Sequence, residues 1–95
     1  MKLKFVSSRD EHFVHVPGCE MDLFGLSHVF ESDGLALKLV TSEVGVFDID
    51  GSEVRVLRNG SVVVKDSDKE RARRKTMRII SLMSQSLGKD LILEG

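Results

Sequence analysis

Two dipeptides, Asp50-Gly51 and Asn59-Gly60, constrain this chain more than anything else in it. Both lie within the run from Leu35 to Asp66, LALKLVTSEVGVFDIDGSEVRVLRNGSVVVKD, and each separates stretches of alternating, β-branched sequence. Asn-Gly and Asp-Gly suit type I′ turns, because both central residues need positive φ and the turn's twist matches that of the strands it joins. The two turns predict sequential antiparallel strands over Val44 to Ile49, Ser52 to Arg58 and Ser61 to Lys65. They also fix two registers.

The rest of the chain fits around this meander. Leu35, Leu37 and Leu39 alternate and are expected to face one way, with a turn at Ser42-Glu43. Near the start, residues 2–7 put Leu3 and Phe5 on one face, and His12 to Val16 alternates again before Pro17-Gly18 stops it. These two segments are expected to pair. Between Cys19 and Asp33, Leu23, Leu26 and Phe30 have helical spacing, but Gly25 and the Val29-Phe30 pair oppose a long helix. A short helix or irregular loop near 20–27 is expected. After Asp66 the period changes. Ser67-Asp68-Lys69-Glu70 reads as a capping box, and Ala72, Thr76, Ile79, Ile80, Met83 and Leu87 form one apolar helical stripe that ends at Gly88. Leu91-Ile92-Leu93 could add an edge strand. The expectation is a single α+β domain over residues 1–95: a mostly antiparallel sheet of five or six strands, a meander, with the long C-terminal helix packed on one face.

Counting outward from the turns places specific side chains. With Asp50-Gly51 as a two-residue loop, Ile49 faces Ser52 and Asp48 faces Glu53. With Asn59-Gly60 as a two-residue loop, Arg58 faces Ser61 and Glu53 faces Asp66. Asp48, Glu53 and Asp66 would then form a row across three strands. Directly opposed residues have Cβ atoms about 4.5–5.5 Å apart, and like charges there destabilise. A divalent cation would offset that repulsion. Ca²⁺ is favoured because it accepts six to eight oxygen ligands in tolerant geometry, whereas Mg²⁺ demands a strict octahedron. Asp50 stands at the end of the row. The candidate metal ligands are therefore Asp48, Asp50, Glu53 and Asp66. The competing reading is a salt-bridge network through Arg55, Lys65 and Lys69, and a bulge or three-residue loop would break the row.

Charge distribution supplies an alternative. Residues 1–64 carry net −4, residues 65–78 net +4, and residues 79–95 net −1. The basic segment is the helix, where Arg71, Arg74, Lys75 and Arg78 follow i, i+3, i+4, i+7. Such a stripe can position phosphates of a nucleic acid or meet an acidic protein partner; the competing and more ordinary reading is a solvated helix face. With five Phe and no Trp or Tyr, the chain offers no stacking platform of the kind single-stranded nucleic-acid binders use.

Other chemistries find little support. His12 and His15 point to opposite faces of a strand, and Cys19 and His28 pair with neither. The nucleotide-binding, nucleophile-elbow and zinc-protease motifs are missing, so no enzyme is expected. One cysteine permits no intrachain disulfide. No apolar segment follows Met1-Lys2-Leu3-Lys4 as a leader would require, and no run spans a bilayer. A cytoplasmic setting without membrane contact is expected.

The string Asp48-Ile49-Asp50-Gly51-Ser52-Glu53 resembles the D-x-D-G core of calcium loops. It departs from an EF-hand, whose twelfth position is here Asn59. Over the C-terminal two-thirds, GVFDIDGSEVRVLRNGSVVVKD followed by a capped helix resembles the small α+β proteins of methanogenic archaea for which calcium binding is proposed. That resemblance implies a cation site at Asp48, Asp50 and Glu53 without implying catalysis. Together these readings predict a small non-enzymatic Ca²⁺-binding protein. The alternative is an interaction module working through the basic helix face.

Overall fold

A computed structural model describes residues 1–94 of the chain. The two glycine turns join β5 (Val44–Ile49), β6 (Ser52–Leu57) and β7 (Ser61–Lys65), and a turn over residues 41–43 adds β4 (Ala36–Val40) to complete a four-strand meander. Two earlier strands, β2 (Val6–Ser8) and β3 (Glu11–His15), extend it beyond β7. The resulting sheet is antiparallel and six-stranded, in the order β2-β3-β7-β6-β5-β4. A two-stranded parallel ribbon stands apart, made of β1 (Lys2–Lys4) and β8 (Ile92–Glu94).

Alternation decides what each face does. Val14, Phe47, Ile49, Val54, Val56, Val62 and Val64 are buried on one face. Helix α1 (Leu23–Ser32) packs there against β4 and β5, and α2 (Lys69–Leu87) against β7 and β3. Phe30 of α1 meets Phe47 of β5 at 4.6 Å between ring centroids, a tilted aromatic contact. The domain is therefore α+β, with the C-terminal helix across one sheet face as expected. The helix stripe is also as expected: Ala72, Thr76, Ile79, Ile80 and Met83 are all buried. Gly88 ends the helix in the left-handed conformation, with φ 65°.

Several details differ from expectation. The first strand is split at Phe5, so Leu3 joins the ribbon with the C-terminal strand while Val6 pairs with Phe13. Helix α1 is longer and later than the span 20–27. Its N-cap is Asp22, whose Oδ1 accepts from the Gly25 N–H at 3.2 Å. Gly25 does not break the helix; a Cβ there would lie 2.6 Å from Asp22 Oδ2, so a glycine lets the cap close. The N-cap of α2 is Asp68 instead of Ser67, its carboxylate accepting from the Glu70 N–H at 3.0 Å. Leu39 does not share a face with Leu35. A register shift between Leu37 and Leu39 turns it outward, where it is exposed.

Candidate functional site

The first register is as counted: Ile49 pairs with Ser52 and Asp48 with Glu53. The second is displaced by one residue. Val54 pairs with Val64, Arg55 with Val63 and Val56 with Val62. Extending that pattern places Ser61 opposite Leu57, so Arg58-Asn59-Gly60 forms a three-residue loop. Its first part is a turn closed by the Gly60 N–H donating to the Leu57 carbonyl at 3.0 Å, and Gly60 follows at φ 93°. This is the type I turn plus left-handed glycine that three-residue hairpins use.

The displacement separates the four predicted metal ligands. A shift of one residue sends a side chain to the opposite face. Asp48 and Glu53 remain together on the helix-free face. Asp66 is carried to the helix face and buried, and Asp50, at the turn, lines the same cleft as Asp66. The row of three carboxylates is thus not formed. Among the described residues, no group of three or more His, Cys, Asp or Glu is placed to hold a metal ion. Glu53 has cationic neighbours instead: Arg55 Nε donates to its Oε2 at 3.1 Å, and Lys65 Nζ lies at 3.6 Å. The Arg55 hydrogen bond, aided by the charges of Lys65 and Lys38, holds the Glu53 carboxyl below the usual carboxylate range.

Asp66 instead organises a basic cleft of about 760 Å³ between the β5–β6 turn and the first turns of α2. Arg71 Nη2 donates to Asp66 Oδ1 at 3.0 Å, and the Asp68 backbone N–H donates to the same oxygen at 2.9 Å. Lys75 Nζ donates to Oδ2 at 2.9 Å, and Ser52 Oγ donates to Oδ2 at 3.2 Å. Lys75 also donates to Ser52 Oγ at 2.6 Å. Arg71 first, then the Asp68 amide and Lys75, hold the Asp66 carboxyl well below the usual range. Asp66 in turn raises Arg71. Ser52 is not set up as a nucleophile. The group its proton points to, the Asp66 carboxylate, is held well below its usual range and is a correspondingly weak base.

Helical spacing brings all four predicted basic residues into this cleft. Arg71, Arg74, Lys75 and Arg78 line it, while the Lys65 ammonium turns to Glu53 on the helix-free face. Four cations against the two carboxylates of Asp50 and Asp66 leave the lining at net +2. Arg78 is anchored outside by Asp33, accepting at 2.9 Å and also through its backbone carbonyl at 2.7 Å. Arg74 makes no ion pair among the described residues.

A contributor that periodicity did not assign is His12. Strand alternation does place it opposite His15, and it is buried while His15 is exposed. Its Nε2 lies 2.9 Å from the Asp66 carbonyl oxygen. A carbonyl only accepts, so Nε2 carries the proton. Nδ1 then accepts from Ser7 Oγ at 2.8 Å. Phe5 stacks on the His12 ring at 5.6 Å, and Arg73 lies over Phe5 at 6.0 Å from its centroid. His12 thereby fixes the backbone of the residue that orients Arg71 and Lys75. No spacing rule links residues 54 apart in sequence, so only the β3–β7 pairing reveals the contact. No family model, no curated protein and no solved structure matches this chain.

Proposed function

We propose that the protein is a non-enzymatic binding module that takes the phosphate groups of an anionic ligand, of nucleic-acid type, into the cleft of α2. One observation carries this reading: four cations converge on one concave surface with net +2, and a buried carboxylate holds two of them in fixed orientation. A planar guanidinium presents a fork of donors matched to phosphate oxygens. Arg71 and Lys75 already spend hydrogen bonds on Asp66, so they act as a preorganised positive floor. Arg74 and the outer donors of Arg71 and Arg78 supply the direct contacts. Orientation held by Asp66 lowers the ordering entropy that binding would otherwise cost.

The test is a titration with a short DNA duplex at 50 and 200 mM salt. Two to four phosphate contacts give a log K against log salt slope of roughly −2 to −4. Arg74→Glu should weaken binding at least tenfold with the fold intact. Salt-independent binding, or indifference to Arg74→Glu, would rule the cleft out; binding to an acidic protein alone would replace phosphate by carboxylate as the ligand.

A second reading rests on the register that places Asp48 directly opposite Glu53. A Ca²⁺ ion bridging these two carboxylates on the helix-free face would complete its shell largely with water. Ca²⁺ titration monitored by amide shifts decides it: unmoved resonances at Asp48 and Glu53 would remove it.

A further inference from the structure

Most charged groups around the α2 cleft are already engaged within the fold. Arg71 and Lys75 are held by Asp66, Arg78 by Asp33, and the Lys65 ammonium turns to Glu53. Among the described residues, the polar side chains of the lining that make no hydrogen bond or ion pair are Arg74, Asp50 and Ser67. A guanidinium can only donate, an ionised carboxylate can only accept, and a hydroxyl does either. Arg74 and Asp50 share the cleft without pairing with each other, so the space between them is open to a ligand. An occupant that satisfies both carries an anion for Arg74 and a hydrogen-bond donor for Asp50.

The donor distinguishes one kind of nucleic acid from another. A DNA backbone presents phosphate and ether oxygens, all acceptors, so a carboxylate at the rim of the cleft repels it and gains nothing in return. An RNA backbone carries a 2′-hydroxyl beside its phosphates, and that group donates. Base amines donate too, but they lie within the grooves, whereas Asp50 is a short side chain on a tight turn beside the phosphate-binding cations. The form of the strand follows from the aromatic residues. None of the five Phe lines the cleft, so it has no ring on which splayed single-stranded bases could stack. Duplex RNA needs none, because its wide, shallow minor groove displays 2′-hydroxyls and is flanked by phosphates.

We infer that the cleft selects double-stranded RNA over DNA, with Arg74 on a backbone phosphate and Asp50 accepting a hydrogen bond from a neighbouring 2′-hydroxyl. Ser67 is free to donate to the same phosphate. This selectivity rests on the phosphate-binding reading of the cleft and assigns Asp50, which repels phosphate, a role within it.

The test titrates the full chain with three duplexes of one sequence at equal salt: RNA, 2′-O-methyl RNA and DNA. The 2′-O-methyl duplex keeps the A-form and the phosphates but has lost the donor. RNA should bind about tenfold more tightly than either of the others, the worth of about one hydrogen bond to a charged group. Asp50→Gly removes the carboxylate and leaves a Gly-Gly pair, which suits the same turn at the φ of 48° found there. It should abolish the difference between RNA and 2′-O-methyl RNA and strengthen the binding of DNA. Equal binding of RNA and 2′-O-methyl RNA by the native chain, with Arg74→Glu still weakening both, would overturn the 2′-hydroxyl contact and leave the phosphate reading standing. Indifference of every duplex to Arg74→Glu would remove the cleft itself. A preference for RNA over 2′-O-methyl RNA that persists undiminished in Asp50→Gly would overturn the role of Asp50. Tighter binding of the single-stranded RNA would overturn the duplex as occupant.

Discussion

Replacing Gly60 by alanine should be far more damaging than replacing Gly51, although both end tight turns. Gly60 has φ 93° and Gly51 φ 85°. Left-handed backbone costs an L-residue about 1–2 kcal/mol, and that strain is common to both changes. Their surroundings differ. A Cβ at Gly51 meets nothing within 4 Å, whereas one at Gly60 would overlap the Val16 carbonyl oxygen. The obstacle is backbone, so it cannot rotate away. Relieving it stretches the 2.9 Å bond from the Val16 N–H to the Gly60 carbonyl, where the end of the third strand is tied to the hairpin. Overpacking of this kind costs about 1–3 kcal/mol, and the weakened hydrogen bond about 1 kcal/mol. Gly60→Ala should lose about 3–6 kcal/mol, and Gly51→Ala about 1–2 kcal/mol. Urea unfolding followed by circular dichroism reads the difference. With a slope of about 1–3 kcal/mol per molar for a small domain, the Gly60→Ala midpoint should fall about 1 M or more below that of Gly51→Ala. Equal midpoints would refute the close approach, and with it the three-residue loop that sends Asp66 to the helix face.

Further outcomes follow from the same contacts. The Asp66 carboxyl is held below its ordinary value near 3.9, so its stabilising contribution is complete above that pH and is lost as pH falls through the lower folded-state value. The melting temperature of the native chain should therefore drop progressively below about pH 4; Asp66→Asn should be less stable at pH 7 and flatter in acid, and a parallel acid profile would show that Asp66 does not titrate this way. Asp48 opposes Glu53 directly, so Asp48→Asn should raise the melting temperature of the metal-free protein, and a lowered one would show Asp48 to be a favourable partner. Ile79 is fully buried in the apolar stripe, and Ile79→Ala should cost about 2–5 kcal/mol by urea unfolding; a loss under about 1 kcal/mol would mean that α2 is not seated on the sheet.

Local rules explain what could be read from the residues alone. The α2 stripe needs only the 3.6-residue period, and Gly88 only the left-handed backbone at a helix end. The Asp48–Glu53 pairing needs only one short turn. Each depends on residues a few positions apart, where chemistry and geometry are nearly fixed. The convergence of Arg71, Arg74, Lys75 and Arg78 on one side of α2 belongs to the same class.

Tertiary structure decided the rest. Whether Asn59-Gly60 closes a two- or three-residue loop turns on whether Gly60 can sit against Val16, a contact 44 positions away in sequence. Side chains alternate with period two along a strand, so that single residue moved Asp66 from a carboxylate row to the floor of a basic cleft. The same contact breaks the link between the two turns and a metal site. Once there, Asp66 is held by Ser52, Arg71 and Lys75, and its backbone by His12. The turns at Asp50-Gly51 and Asn59-Gly60 determined that a meander forms and which strands are neighbours. They did not determine which face each carboxylate takes, because turn propensity is local and loop length here is set by packing across the sheet.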